Sequence, residues 1–417
     1  MNRFIILLLI SLSAVTGNAQ FAVSHIGTLR SPQMMLNDEW DAPAVMRMGS
    51  DDVMTFSFDE MSHVYHRYIC KVTHRNADWS QSELSEIDYL DGFNGFQVEW
   101  CENSENTTLL YTHYEFAIPN DNLQLKCSGN YRVEVYDDES SDDSPVATFD
   151  FSVVEPLVSV SASVSGDTDR SFNEEDQQLS FAVNYSCCNV QSPVTEILPV
   201  VYQNRRRDNA VYGLAPTYIT GDAAEYVHND KLIFKAGNEY RRFELTDPNA
   251  PGMGVDEVLY TDTAYNVLLY KDTPRLSLSN YRDENGRYFV NTVEGYGTTL
   301  EADYVNVHFT LDAPFRSGGD YYLLGNLAQS YPADENRLLY DYEECCYFTS
   351  RLLKLGVYNY MYVWVPRGSA TSLFDAVEGS FFNAENEYLI YIYYREFGSR
   401  YDRLVGVGGV NYSLENN

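Results

Sequence analysis

The sequence predicts an all-β protein built from tandem immunoglobulin-like or early-set β-sandwich domains around a β-rich middle region. Three observations predict it. Apolar and polar residues alternate with period 2 wherever a pattern is clear, the signature of strands with one face on a core. Tyrosine is very abundant, at 35 residues, and its ring packs on a pleated face while its hydroxyl reaches water. Turn signals recur at the short intervals typical of sandwiches, whereas no stretch carries convincing helical periodicity.

In chain order, Asn2-Arg3 and the apolar run Phe4 to Leu12 read as a leader, with Gly17-Asn18-Ala19 at the cleavage positions and Gln20 as the first mature residue. The run is about half the ~20 residues that span a bilayer. The first cysteine is Cys70, far from the cut, so no lipid-modified cysteine follows it. Residues 20–155 form the expected first sandwich. Its strand Tyr131 to Tyr136 follows Gly129-Asn130, and Asp137 to Ser144 is a solvated hairpin loop before the last strand. Glu155-Pro156 opens a linker, because proline cannot continue a central strand.

A β-rich middle region, 156–312, holds the irregular stretch Thr246 to Gly254, the turn Asn285-Gly286 and the half-buried strand Tyr304 to Phe309. Leu311-Asp312-Ala313-Pro314 marks the next seam. The final domain, 313–417, begins with the turn Ser317 to Asp320 and contains the half-buried strand Tyr360 to Val365. Gly129-Asn130-Tyr131 and Gly356-Val357-Tyr358 share a local pattern: Gly two residues before a Tyr that heads a strand. Immunoglobulin-type sandwiches place a corner tyrosine there, its hydroxyl bonded back to the backbone.

The formal net charge is −33, and −34 once Arg3 leaves with the leader. That argues against nucleic acid and anionic lipid as partners. Seven cysteines show no zinc-type spacing. Export permits disulfides, for instance among Cys70, Cys101 and Cys127, and an odd count leaves at least one thiol free. No G-x-S-x-G, H-E-x-x-H, phosphate loop or dinucleotide fingerprint occurs. His63 and His66, three apart on an expected strand, would face opposite ways and share no metal. The sequence therefore nominates no catalytic, cofactor-binding or metal-binding residues, and binding rather than catalysis is the expected work.

Several long runs carry a resemblance: YHRYICKVTHRNADW (Tyr65 to Trp79), YTHYEFAIPNDN (Tyr111 to Asn122), QNRRRDNAVYGLAPTYI (Gln203 to Ile219), FKAGNEYRRFEL (Phe234 to Leu245), and the long run from Glu378 to Gly406. In these the chain resembles the type IX secretion system plug protein family over nearly its whole mature length. One departure is His74-Arg75-Asn76-Ala77-Asp78-Trp79, where the family has a cysteine after the histidine; any redox role for it falls away. The resemblance implies a non-catalytic, soluble periplasmic subunit that binds the outer-membrane translocon barrel and plugs its pore when no cargo is present.

Gly318 to Gly406 also resembles early-set sandwiches related to glycogen-binding modules, which keeps a glycan-binding or carbohydrate-active protein as the alternative. The sugar-stacking aromatic expected after Gly325-Asn326 is replaced by Leu327, Ala328 and Gln329. Two clusters are the candidate partner-binding residues, since arginine and aromatic side chains are enriched at interface hot spots. They are Arg205, Arg206 and Arg207, and Tyr394, Arg395, Phe397, Arg400, Tyr401 and Arg403; the competing reading is that they make internal ion pairs. His74, Asp78 and Trp79 read as fold determinants, a buried Trp beside a turn-forming Asp.

Overall fold

The computed structural model describes residues 23–25, 27–141, 143–261, 264–293, 298–328, 333–369 and 372–413. The expected leader 1–19 and its cut before Gln20 lie outside them, as do Asp142 of the acidic loop and Gln329.

The architecture is nearly all β, as the alternation predicts. In the first sandwich, strands Val23–His25, Ala147–Val154, Gly129–Asp137, Tyr68–Arg75 and Phe96–Gln97 form one sheet, with Val45–Arg47 joining Ala147–Val154 in parallel. Leu29–Leu36, Met54–Glu60, Thr112–Ile118 and Trp100–Asn103 form the other. Tyr68–Arg75 alternates buried and less buried residues along its length, so one face enters a core of Phe56, Phe58, Val72, Val133 and Phe149. The Tyr131 hydroxyl donates to the carbonyl of Cys127 at 2.7 Å, the corner bond that Gly-x-Tyr predicts. Gly129 has no substitute there: at φ +136, a Cβ would sit 2.5 Å from His74 Nε2.

A second sandwich opposes Ser159–Ser165, Asp176–Asn184, Ala223–Tyr226, Tyr218–Thr220 and Ile233–Lys235 to a three-stranded sheet of Ile197–Gln203, Asn386–Tyr394 and Arg403–Tyr412. Ile197–Gln203 pairs with Asn386–Tyr394 over its full length. The chain therefore leaves this sandwich near 236 and returns near 382.

The intervening chain forms the third sandwich. Its sheets are Arg241–Leu245, Gly356–Pro366, Tyr288–Val290 and Gly319–Leu324, facing Val255–Thr261, Ala264–Leu269, Tyr304–Leu311, Cys346–Lys354 and Leu339–Asp341. The second corner tyrosine sits here, Tyr358 donating to the carbonyl of Lys354 at 2.5 Å.

The structure corrects several expectations. The boundary placed at 312/313 falls inside one unit: Tyr304–Leu311 pairs in continuous register with Cys346–Lys354, and Leu311, Ala313 and Leu323 share a core. Asp312 and Pro314 make only a bend between strands. The expected C-terminal domain 313–417 is instead divided, its first part completing the third sandwich and 386–412 completing the second. Tyr360 to Val365 is buried on both faces rather than one, because Tyr360, Tyr362 and Trp364 enter the third core while Met361, Val363 and Val365 meet Tyr240 and Leu324. His63 and His66 lie in the loop between Met54–Glu60 and Tyr68–Arg75, not on a strand, and His63 Nε2 bonds Ser104 Oγ at 3.0 Å. All seven cysteines are free. No described helix is long and apolar enough to cross a membrane.

Candidate functional site

The arginine run 205–207 sits at the turn that ends Ile197–Gln203, where Asn204 and Arg205 adopt φ of 51° and 58°. That left-handed turn fans three consecutive guanidinium groups in different directions. Arg205 clamps Glu387 with two bonds, at 2.7 and 3.0 Å. Arg206 is buried, pairs with Asp208, donates to Ser372 Oγ at 3.1 Å and lies 4.4 Å from the Phe374 ring centre. Arg207 reaches Asp150 of the first sandwich and stacks 3.5 Å over Trp79. Asp150 is shared with Arg132 at 2.8 Å. Arg207 therefore ties the second sandwich to the first, while Arg205 is engaged within the second.

The second expected cluster is also mostly engaged within the chain. Tyr394 is buried, its hydroxyl donating to the Asn189 carbonyl. Arg395 pairs with Asp402 at 3.2 Å, Arg400 with Asp88 at 3.1 Å and Arg403 with Glu155 at 2.6 Å. Tyr401 packs edge-on to His74, ring centres 5.3 Å apart. Phe397 differs: it is 98% exposed at the apex of a turn that Gly398 closes at φ +84. Two further apolar side chains are displayed on adjoining segments, Ile87 at 78% and Phe93 at 70%. The Arg400–Asp88 pair and an Asn94 to Glu86 bond of 3.0 Å tie these segments together. The arginines of this cluster are thus engaged in ion pairs within the chain, and two of their partners, Asp88 and Glu155, lie too far away in sequence to be read from composition.

His74 is a fold determinant as expected. It is buried, bonds the Ser128 carbonyl at 3.2 Å, and burial drives its pKa down to about 4, so the ring is neutral at pH 7. Asp78 does form a turn, accepting from the Ser80 N–H at 3.0 Å. Trp79 is only half-buried, held at φ +65 under Arg207.

Junctions between sandwiches hold the groups that sequence reading missed. First and second sandwiches meet through an apolar cluster of Ala77, Val154, Val200, Tyr391, Tyr393 and Leu404. First and third meet through a buried polar network. Asp59 accepts from Lys354 Nζ at 2.7 Å and from the Tyr304 hydroxyl at 2.6 Å, and its other oxygen bonds His113 Nδ1 at 2.6 Å. Lys354 also donates to the Thr299 carbonyl at 2.6 Å and lies 4.2 Å from the Tyr111 ring centre. Burial alone would raise the Asp59 pKa, yet the Lys354 charge and the His113 bond hold it below the ordinary carboxylate value. Each of these residues looks ordinary in its own strand, so no motif announces the network.

Among the described residues no three His, Cys, Asp or Glu side chains gather to hold a metal. Leu327 and Ala328 point inward and are buried, so the position where a sugar-stacking ring was sought faces the core.

These features define a class: an all-β protein of three sandwiches joined through buried contacts, with an apolar tip on one set of loops. Comparison with known proteins carries this further. The family "Type 9 secretion system plug protein 1st domain" matches residues 29–155. A crystal structure of a hypothetical protein from Parabacteroides merdae is 38% identical, covers 94% of this chain and all of its own, and superposes with a TM-score of 0.92. A structure from Corynebacterium diphtheriae aligns at 8% identity with a TM-score of 0.13 and carries no argument. No curated protein matches. Residues 29–155 thus match the first domain of the type IX secretion system plug proteins, and the protein's role is associated with that system.

Proposed function

We propose that the protein binds the outer-membrane translocon barrel of the type IX system from the periplasmic side and closes its pore while no cargo occupies it. One observation supports this most: three sandwiches are fastened to one another by buried junctions. A barrel wide enough for folded cargo also passes water and small solutes. Its seal must hold a fixed shape, and a preformed body loses little conformational freedom on docking. In this reading the protein is a non-catalytic periplasmic subunit, and the tip carrying Phe397, Ile87 and Phe93 is its apolar contact with the barrel. A small anchor within an acidic surface suits a plug that cargo must displace.

The test is purification of the barrel in detergent from cells expressing a tagged copy of the protein. Cargo-free barrel should carry the tagged protein and cargo-loaded barrel should not. Phe397→Asp should cut recovery at least tenfold without changing the melting temperature. A protein that never accompanies cargo-free barrel sinks the reading. In cells keeping the barrel, deletion should raise permeability to large hydrophilic antibiotics, and unchanged permeability argues against sealing.

A further inference from the structure

A cleft of about 570 Å³ opens between the first and third sandwiches. Trp100, Glu102, Glu105 and Glu115 line it from the first, and Thr299, Leu300 and Glu301 line it from the short helical turn Thr298–Glu301 of the third. The Glu105 N–H donates to the Leu300 carbonyl at 3.0 Å, which fixes the two walls against each other. The volume falls within the ~300–1,000 Å³ range of small-molecule sites.

Four glutamates face this space without compensation. Among the described residues none of them pairs with a lysine or arginine, and Glu115 alone approaches a basic side chain, His113 Nε2 at 4.0 Å. A cleft lined by one sign of charge focuses its field and concentrates counter-ions. Yet no three of these carboxylates converge where a metal ion could sit. The neutralising charge must therefore be spread along a ligand rather than held at one point.

The second observation lies in the wall behind the glutamates. His113 is buried, and its Nδ1 turns inward to Asp59 at 2.6 Å. Asp59 is held ionised and can only accept, so Nδ1 is the donor. The other nitrogen, Nε2, is turned towards Glu115 and the cleft and has no hydrogen-bond partner. In the neutral ring it is a bare acceptor. Trp100 stands edge-on to the same ring, centres 5.7 Å apart, and is 46% exposed where it lines the cleft.

This lining sets the chemistry of what can fill it. The carboxylates and Nε2 all accept, so the ligand must bring N–H donors and positive charge. The exposed indole takes methylene groups on its face and attracts a cation held over it. We infer that the cleft is a binding site for alkylammonium groups carried on a methylene chain, as in a free polyamine or neighbouring lysine side chains. The chain lies on Trp100 and the ammonium groups meet Glu102, Glu115 and Glu301. The site asks nothing of the translocon barrel, so it stands or falls apart from pore closure.

The test is calorimetric titration of the full-length protein with spermidine at physiological salt, where exposed charges beyond a Debye length of about 8 Å are largely screened. Glu102→Gln combined with Glu115→Gln should weaken spermidine binding at least tenfold. Glu343→Gln with Glu344→Gln, an exposed pair outside the cleft lining, removes the same charge and should change it less than twofold. Trp100→Leu should weaken binding at least threefold with every carboxylate in place. Acetylated, amidated trilysine carries as many ammonium groups as spermidine and separates the sources: tighter spermidine assigns the site to a free polyamine, and tighter trilysine to lysines of a protein segment. Equal losses in the two glutamine pairs would overturn the proposal, as would full binding by Trp100→Leu, because diffuse surface charge would then account for the affinity. Displacement of spermidine by an equal concentration of magnesium ion would overturn it too, as a generic cation sink.

Discussion

Two buried carboxylates, each at a junction between sandwiches, have opposite fates. Asp59, between the first and third, has Lys354, Tyr304 and His113 around it and is held ionised. Glu239 lies where the chain crosses from the second sandwich to the third. One of its oxygens accepts from the Glu385 N–H at 2.8 Å, and the other has no partner. Burial, and then the neighbouring Asp283 charge, push the Glu239 pKa up to about 8; Asp283 itself is pushed to about 6, chiefly by burial. The difference lies in the company each keeps. Desolvation acts on both, and a cation in hydrogen-bond contact reverses it at Asp59, whereas a second carboxylate reinforces it at Glu239. One junction is an ion pair, and the other is built around a proton.

The sharpest way to break the contrast is Lys354→Met, which strands Asp59 as an unpaired buried charge. It should cost about 3–5 kcal/mol, read as a fall in the urea midpoint, and adding Asp59→Asn should restore much of that. Removing only the Tyr304 hydroxyl, with Tyr304→Phe, deletes one bond to a charged acceptor and should cost ~1.5–3 kcal/mol in the same measurement.

At the other junction the sign reverses. A carboxyl whose folded pKa is raised contributes stability that is fully present below its unfolded value and lost as pH rises through the folded one. Stability should therefore fall between about pH 4.5, the ordinary Glu range, and the pKa of about 8 reached by Glu239. Glu239→Gln should remove that slope, adding about 1–2 kcal/mol above pH 8 and almost nothing at pH 4. Asp59, with its depressed pKa, should contribute only an acid limb, its stabilisation disappearing as pH falls below the usual carboxylate range. Tyr131→Phe is the remote control: loss of the corner bond should cost ~1 kcal/mol at every pH. A pH dependence in that variant's deficit would mean that the two carboxylates do not account for the slope.

What was legible in the sequence was local. The strands at Tyr131 to Tyr136 and Tyr304 to Phe309 declare themselves by alternation, and the corner tyrosines could be read because Gly, Tyr and the accepting carbonyl lie within five residues. The family resemblance rests likewise on contiguous runs. Long-range partnerships were not legible. Arg205 and Glu387 are 182 residues apart and Arg207 and Asp150 are 57 apart, so an arginine-rich run looked like a contact surface when its counter-charges were already in the chain. Residue 312 looked like a seam because a proline-containing bend between two strands of one sandwich has the same composition as a linker. The Asp59 network has no sequence signal, since burial of a charge is decided by the surface that closes over it.

One feature of the chain path bears on how the molecule is made. Strand Ile197–Gln203 cannot find its neighbour until residues 386–394 exist. During synthesis from the N-terminus the first sandwich can be complete by residue 154 and the third by 366, while the second waits, half built, for the final strands. Those strands also carry Tyr391, Tyr393 and Leu404 of its junction with the first sandwich. The last part of the chain to appear therefore acts as a clasp, fastening the earliest-made unit to the rest, and a chain cut short before 386 would leave two finished sandwiches on an open frame.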